Sequence, residues 1–361
     1  MLAVAVQDVS GAAHDALRRR RWLIASGLAL ALLAACLAAS AIGALRIPFS
    51  HILAAILQRF GLETAVPVAP VEKAALFAIR LPRVALGLGV GATLGIAGAA
   101  LQALFRNPLA DPGLIGVSGG AACGAVGWIV LGASAPVWMH GRLGTPLAAF
   151  AAGLAAVAGV YGIASRGRQT DIATLLLAGL AVNALTAAGV GYLSYLGTDA
   201  QLRSLTFWLL GGLGGATWGQ IWPLLLVMGA AAVGLLALRR SYDVLALGER
   251  SAGHLGLDVE LVQRATIGCV ALGAGASVAL TGIIGFVGLV APHLVRLLGG
   301  PSHRFVLPAS ALMGALLLVL ADLLARTVAA PAELPVGIVT SALGAPFFIA
   351  LLRRRGARPL S

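Results

Sequence analysis

The stretch RRSYDVLALGERSAGHLGLDVELVQR, Arg239–Arg264, is the densest run of charge between the long apolar segments of this chain. Its arginines are nearly balanced by Asp243, Glu249, Asp258 and Glu260. Each charge held at the centre of a bilayer costs at least about 2.5 kcal/mol. We therefore expect this stretch to lie in water, between two membrane spans.

A short helix is predicted inside this stretch. Leu247, Ser251 and Leu255 recur every four residues and would share one helix face, and Gly256 would end the helix. Two interpretations are open at this point. The segment is either a small helix that rests in a groove of another protein or an ordinary solvated loop.

The composition around this stretch is that of a membrane protein. Of 361 residues, 60% are hydrophobic and 11% are charged, and the mean hydropathy is +0.97. Repeated apolar runs of about 20 residues can each cross about 30 Å of hydrocarbon as a helix. We predict one membrane domain over residues 1–361, with residues 1–21 as a tail and 239–261 as the polar segment. The predicted spans are 22–45, 84–105, 114–132, 146–164, 172–196, 220–238, 262–281, 286–298, 305–325 and 335–352.

The basic residues predict the orientation of these spans. Arg18–Arg21 stand directly before the first apolar run, and Arg353–Arg355 follow the last one. Because arginine and lysine concentrate on the cytoplasmic side, both termini are predicted to be cytoplasmic. The net charge of +12 then reflects topology and contact with anionic lipid, and nucleic-acid binding is not expected.

The chain lacks the residues for its own energy supply. A phosphate-binding Walker loop needs a lysine followed by serine or threonine, and the only lysine, Lys73, stands in VEKAAL. Ion-driven carriers keep ionisable groups at mid-membrane, whereas Asp322, His293 and Arg296 lie near predicted span ends. The cysteines and histidines show no metal-ligand spacing. Energy must therefore come from a partner, or the protein is passive.

Three arginines on the predicted outer side run against the general charge trend. Arg80 and Arg83 flank Pro82 before the second span, and Arg326 stands at the outer end of another. Guanidinium groups bind carboxylates in planar, bidentate geometry. These arginines would either dock an acidic protein or reach lipid headgroups.

Two further features accompany the second span. Gly87, Gly91, Gly95 and Ala99 form a stripe of small residues that favours close helix packing. At its other end, FRNPLADPGLIGVSGGA combines prolines and glycines with polar residues. Such a break is tolerated where backbone lines a cavity, although a plain turn would look similar.

Five motifs in one order give the chain a resemblance to a known family. They are RLPR, QALFRNPLADPGLIGVSGGA, LALGERSAGHLG, TGIIGFVGLVAPHLVR and AELPVGIVTSALGAPFF, within residues 75–355. In these motifs the chain resembles the FecCD-type permease subunits of ABC importers for iron-siderophores, haem and cobalamin.

The resemblance implies an all-α, ten-helix permease of the type II importer fold in the bacterial inner membrane. It also implies a homodimer, two ATP-binding subunits that carry ATP and magnesium, and a periplasmic binding protein. No cofactor or metal is expected on this chain, and it is not expected to be an enzyme.

The resemblance also assigns roles to residues. Arg80, Arg83 and Arg326 would dock the binding protein. Asn107 and Leu109 would form a cytoplasmic gate with Ile172 and Ala173, although the last two are more apolar than in the cobalamin relative. The helix that contacts the ATP-binding subunit would comprise Leu247, Gly248, Glu249, Arg250, Ser251, Ala252, Gly253, His254, Leu255 and Gly256.

We favour haem as the transported chelate, because NPLADPGLIGVSGGA reads most like the haem permeases. An iron-siderophore and cobalamin are the alternatives within the family. Hypotheses from other classes are an ion-coupled secondary transporter or channel that works alone, and a structural membrane protein.

Overall fold

Long apolar runs satisfy their backbone polar groups in a bilayer by forming helices, and the described chain is almost wholly helical. The computed structural model describes residues 2–132, 143–166 and 169–356, so the ends of the predicted domain 1–361 lie outside the described residues. A π-helical turn, Ala75–Arg80, leads into α4, and a 3-10 turn, Pro112–Ile115, precedes α5. Strands β1 (Ser165–Arg166) and β2 (Gln169–Thr170) pair antiparallel between α6 and α7. The helices are α1 (Leu2–Ala41), α2 (Phe49–Arg59), α3 (Pro70–Ala74), α4 (Leu81–Leu104), α5 (Val117–Leu131), α6 (Gly144–Ala164), α7 (Ile172–Leu196), α8 (Asp199–Leu210), α9 (Trp218–Ala237), α10 (Arg239–Leu245), α11 (Glu249–His254), α12 (Val259–Thr281), α13 (Val287–Gly299), α14 (His303–Thr327) and α15 (Val336–Gly356).

Each predicted span coincides with a helix, which confirms the all-α fold class. Among the described residues, seven helices are long and apolar enough to cross a membrane, and three shorter apolar helices, α5, α13 and α15, match the remaining predicted spans. The predicted bounds of α7, 172–196, agree with the structure at both ends. At the amino terminus, α1 runs back to Leu2, so residues 2–21 continue the helix of the first span.

The centre of the bundle is the antiparallel contact between α4 and α14. A Cβ atom on Gly91 would overlap the carbonyl oxygen of Gly314, and one on Gly95 would overlap that of Ser310. The two backbones therefore touch without an intervening layer of side chains. This arrangement confirms the packing role predicted for the glycine stripe.

We expect Gly91→Ala to destabilise the fold by about 1–3 kcal/mol, because the new methyl group forces the two helices apart. Thermal unfolding of the purified protein in detergent measures this loss. The matched control is Gly229→Ala in α9, where an added Cβ meets nothing within 4 Å. An unchanged unfolding temperature for Gly91→Ala would contradict the close approach.

The two predicted functional regions lie at opposite ends of this bundle. Arg83 stands in the first turn of α4, and Arg106 follows the last turn. The 24 residues of α4 span about 36 Å. The end that carries Arg83 is called the arginine end below, and the other, which carries Arg106 and α11, is called the coupling end.

Candidate functional site

The coupling end presents the short helix α11 at the surface. It has six residues, shorter than the predicted Leu247–Gly256, because Gly248 adopts a φ of 103° that starts the helix and Gly256 a φ of 83° that follows its end. Ala252 is fully buried in the core and fixes the helix to the bundle.

The predicted contact face of this helix is open. Leu247 is 63% and Leu255 67% exposed, and Ser251 between them is exposed as well. The segment therefore offers an apolar face outside the bundle, as a groove-seated helix requires, and its contact with another protein stays a prediction.

The predicted gate residues Asn107 and Leu109 lie in the turn that follows α4. The side chain Oδ1 of Asn107 accepts a hydrogen bond from the backbone N of Leu109 at 3.0 Å, which closes the turn. Arg106 reaches from this turn to α11, where its Nη2 lies 3.7 Å from Glu249 Oε1. This pair is about half exposed, so it contributes at most about 1 kcal/mol. It nevertheless places the predicted gate turn beside α11, the predicted coupling helix.

Asp111 holds the next part of the same motif. Its Oδ1 accepts a hydrogen bond from Gly113 N at 2.9 Å and so caps the 3-10 turn before α5. Burial raises the pKa of the Asp111 carboxyl above its ordinary value, and the hydrogen bond from Gly113 opposes this effect. Asn183 of α7 donates to the carbonyl of Gly113 at 3.0 Å. The break predicted after the second span is thus an ordered turn tied to α7.

The second predicted gate pair, Ile172 and Ala173, forms the first turn of α7. Asp171 caps this helix, because its Oδ2 accepts a hydrogen bond from Thr174 N at 2.9 Å. Ile172 is half-buried and Ala173 is exposed. The two gate pairs therefore belong to different elements, and their common role stays a prediction.

A polar cleft of about 910 Å³ separates the start of α7 from α11. Four carboxylates and one guanidinium belong to its lining. The lining comes from the end of α6, from β2, from the start of α7 with Asp171, from α11, and from the start of α12. The lining residues are Ala164, Thr170, Asp171, Thr174, Glu249, Arg250, Asp258, Val259, Glu260 and Gln263.

Glu260, in the first turn of α12, closes one side of this cleft. Its Oε2 accepts a hydrogen bond from Thr170 N at 3.1 Å, and its Oε1 accepts one from the Thr170 hydroxyl at 2.8 Å. The Tyr161 hydroxyl lies 3.2 Å from the same Oε1, and Arg264 Nε lies 2.8 Å from it. One carboxylate thereby joins α6, the hairpin and α12.

At the arginine end, the three predicted docking residues have partners within the chain. Arg80 and Arg83 are only 6% and 7% exposed. Arg80 Nη1 donates to the carbonyls of Ser40 and Ala41 at 2.5 and 2.9 Å, and its Nη2 donates to that of Leu45. Arg80 thus fixes the end of α1 to the start of α4.

Arg83 and Arg326 share one carboxylate of α14. Asp322, 3% exposed, lies 2.9 Å from Arg83 Nη2 and 3.2 Å from Arg326 Nε. Arg83 Nη1 also contacts Glu333, which is about half exposed in the loop before α15, at 2.7 Å. Contacts within the chain therefore occupy these guanidinium groups, and the binding-protein docking predicted for them stays a prediction.

The ionisable residues that ion coupling could use have contacts within the chain. Asp322 and Arg296 lie in the last two turns of their helices, whereas His293 lies in the middle of α13 and not near its end. Asp322 forms ion pairs with Arg83 and Arg326. Arg296 Nη1 donates a hydrogen bond to Gln102 Oε1 at 2.5 Å. The ring of His293 stands edge-on to Phe347 at a centroid distance of 5.8 Å. These contacts favour structural roles for all three. Within the described ranges, the acidic, histidine and cysteine side chains form no group that could hold a metal ion.

Sequence reasoning missed Glu260 and Glu333 as members of a site. In the sequence, Glu260 is one of several charges of the polar segment, and Glu333 is part of the motif AELPVGIVTSALGAPFF. Their partners lie 90 and 250 residues away along the chain. The position of Glu260 in a first helical turn was the available signal, because carboxylates are favoured there.

Comparison with known proteins points to one family. The model of the FecCD transport family matches residues 30–354. The chain is 45% identical to the cobalamin import system permease protein BtuC of Halobacterium salinarum, over 78% of this chain and 74% of that protein. It is 44% identical to the hemin transport system permease protein HmuU of Yersinia pestis, over 77% and 82%. A solved metal-chelate type ABC transporter in an inward-facing conformation has a TM-score of 0.80 and 30% identity, over 92% of this chain and 99% of that chain.

Proposed function

This chain belongs to the FecCD transport family, and from that premise we propose that it is the permease of an ABC importer that brings a metal chelate across the bacterial inner membrane. The exposed leucines of the coupling end carry the proposal. Leu247 and Leu255 stand in a polar connection between spans and leave more than half of each side chain in contact with solvent. A surface of this kind suits a partner subunit that supplies the energy.

The energy source in this proposal is ATP on a separate subunit. Closure of two ATP-binding subunits would displace α11, and Arg106 would pass part of that displacement to the turn of Asn107 and Leu109. ATP and magnesium belong to the partner, and this chain holds no cofactor. Both termini lie on the cytoplasmic side, as the charge distribution predicts.

A second copy of the chain completes the pathway. Helix α7 exposes large apolar side chains along its length. Only 17% of an apolar stretch of 18 residues in this helix is buried within the chain. Tyr192 and Tyr195 are 65% and 86% exposed. We propose that α7 and α15 of two copies flank the path of the chelate.

A periplasmic binding protein would deliver the chelate at the arginine end. Glu333 shows how a carboxylate meets this surface, because its half-exposed side chain reaches the otherwise buried Arg83 at 2.7 Å. We propose that a carboxylate of the binding protein takes the place of Glu333. Such contacts are screened by salt, so the affinity should fall as the ionic strength rises. Equal affinity at low and high salt would leave the arginines with their structural role alone.

Haem is our first candidate for the chelate, on the motif NPLADPGLIGVSGGA. Cobalamin is the second, because two permeases named for cobalamin or vitamin B12 match at 45% and 43% identity, against 44% for the hemin permease. Both candidates are metal ions held in a large macrocycle.

The deciding experiment reconstitutes the chain in proteoliposomes with its ATP-binding subunit and binding protein. Haemin, cyanocobalamin and a ferric siderophore are offered in parallel, and ADP replaces ATP in the control. We expect ATP-dependent uptake of one chelate. Uptake by the chain alone, driven by a proton or sodium gradient, would support a secondary transporter instead. No transport in either assay would support a structural role.

A further inference from the structure

The polar cleft lies between the start of α7 and α11, the predicted coupling helix. The cleft of about 910 Å³ has Thr170 and Asp171 in one wall and Glu249 and Arg250 in another. A displacement of α11 is transmitted poorly across this open space. An element that contacts α11 and the segment before α7 gives it a more direct route.

The first turn of α12 is such an element. Four residues, 255–258, separate α11 from α12, and Leu257 N donates to the carbonyl of Ala252 at 3.1 Å. Asp258 caps α12 through its contact with Leu261 N at 3.0 Å. A short, hydrogen-bonded connection therefore makes the start of α12 follow α11.

Glu260 continues this connection to α7. Its carboxylate accepts hydrogen bonds from the backbone N and from the hydroxyl of Thr170, at 3.1 and 2.8 Å. Thr170 stands two residues before Ile172. The Tyr161 hydroxyl and Arg264 Nε hold the same carboxylate at 3.2 and 2.8 Å, so its orientation is fixed from α6 and from its own helix. Two bonds to one residue resist both sliding and rotation better than a single contact.

We propose that Glu260 is the positioning residue that transmits movement of the coupling helix to the first turn of α7, which carries Ile172 and Ala173. This inference rests on the proposed function, because it concerns how the ATP-driven movement reaches the predicted gate. Movement of α11 then has two routes to the predicted gate residues. One runs through the exposed ion pair of Arg106 and Glu249, and the other runs through Glu260. The first route ends at Asn107, and the route through Glu260 ends at Ile172.

The test measures movement at Ala173 directly and does not require the identity of the chelate. Ala173→Cys is placed in a background in which Cys36, Cys123 and Cys269 are serine. The chain is assembled with its ATP-binding subunit in proteoliposomes. Labelling of this cysteine by fluorescein maleimide is then followed with ATP and with ADP, together with ATP hydrolysis.

In the parent, the labelling rate should differ between ATP and ADP. A single residue can carry about twofold to thirtyfold of a coupling, so Glu260→Ala should remove up to that factor from the parental ratio of the labelling rates and bring the ratio towards one, while ATP hydrolysis per assembled complex stays within about twofold. A purely structural role would instead lower the amount of complex and leave the ratio intact in what assembles.

Arg264→Gln is the matched control. It removes the ion pair within α12 but keeps both bonds to Thr170, and we expect the parental ratio. If Glu260→Ala does not assemble, Thr170→Val replaces it, since it removes the hydroxyl bond and keeps the backbone bond, and a partial loss of the ratio is expected. Glu260→Asp, shorter by one methylene, should show a partial loss as well.

The outcomes separate this inference from the proposed function. A parental ratio in both Glu260→Ala and Thr170→Val overturns the role of Glu260 while the proposed function stands. A parent complex without ATP hydrolysis and without any effect of ATP on labelling overturns the proposed function, and the role of Glu260 with it.

Discussion

Replacing Asp322 by alanine should destabilise the protein by about 3–5 kcal/mol, because it leaves two buried arginines without their shared carboxylate. Asp322 is 3% exposed, and both Arg83 and Arg326 lie within 3.2 Å of it. The expected result is a large fall in the monodisperse fraction after detergent extraction. Thermal unfolding of the remaining protein should show a lower transition temperature.

Glu333→Gln is the control for this prediction. Glu333 contacts the same Arg83 but is half exposed, so its loss should cost no more than about 1 kcal/mol. Combining Asp322→Ala with Arg83→Met and Arg326→Met should restore much of the stability, because no unpaired charge is then buried. Wild-type stability of the single variant Asp322→Ala would show that the arginines do not depend on this carboxylate.

Replacing Leu255 by aspartate should weaken the association with the ATP-binding subunit about a hundredfold and abolish ATP-driven uptake. Leu255 is 67% exposed in the free chain, so the variant should fold normally. In the complex it would lose the burial of a leucine, about 1.5–3 kcal/mol, and it would desolvate a carboxylate. Affinity measured in detergent and uptake in proteoliposomes report the two effects.

Glu249→Lys should act differently on the same surface. It places a second positive charge beside Arg106, 3.7 Å from the present carboxylate, and so separates α11 from the predicted gate turn. Uptake per ATP should fall while the subunits still associate. Leu62→Asp and Glu63→Lys are the matched controls, because both residues are exposed at the arginine end. Equal effects from controls and variants would refute the assignment of α11.

The sequence was sufficient for the spans and for the position of α11. Hydropathy located the spans, and for α7 it gave both bounds, which the structure explains by the cap of Asp171 and by Gly197 after the last residue. The stripe from Gly87 to Ala99 correctly indicated close packing. Periodic and local signals of this kind need no knowledge of distant residues.

The chemistry at the two ends could not be derived in the same way. Arg83 and Asp322 are separated by 239 residues, and nothing in RLPR indicates that its second arginine is buried against α14. Glu260 and Thr170 are separated by 90 residues. Charge placed near a span end suggested exposure, whereas tertiary packing brought opposite charges together and removed them from water.

The backbone contact of α4 with α14 also limits how the subunit can change shape. The two helices touch through Gly91 and Gly314, and ion pairs of Asp322 join them at one end. No layer of side chains lies between them at this contact that would allow one helix to slide along the other. We expect the two helices to move as one rigid unit. In the proposed transport cycle, the alternation between outward and inward access would then fall to the peripheral helices, and we expect α7 and α15 to move against a frame that does not itself bend.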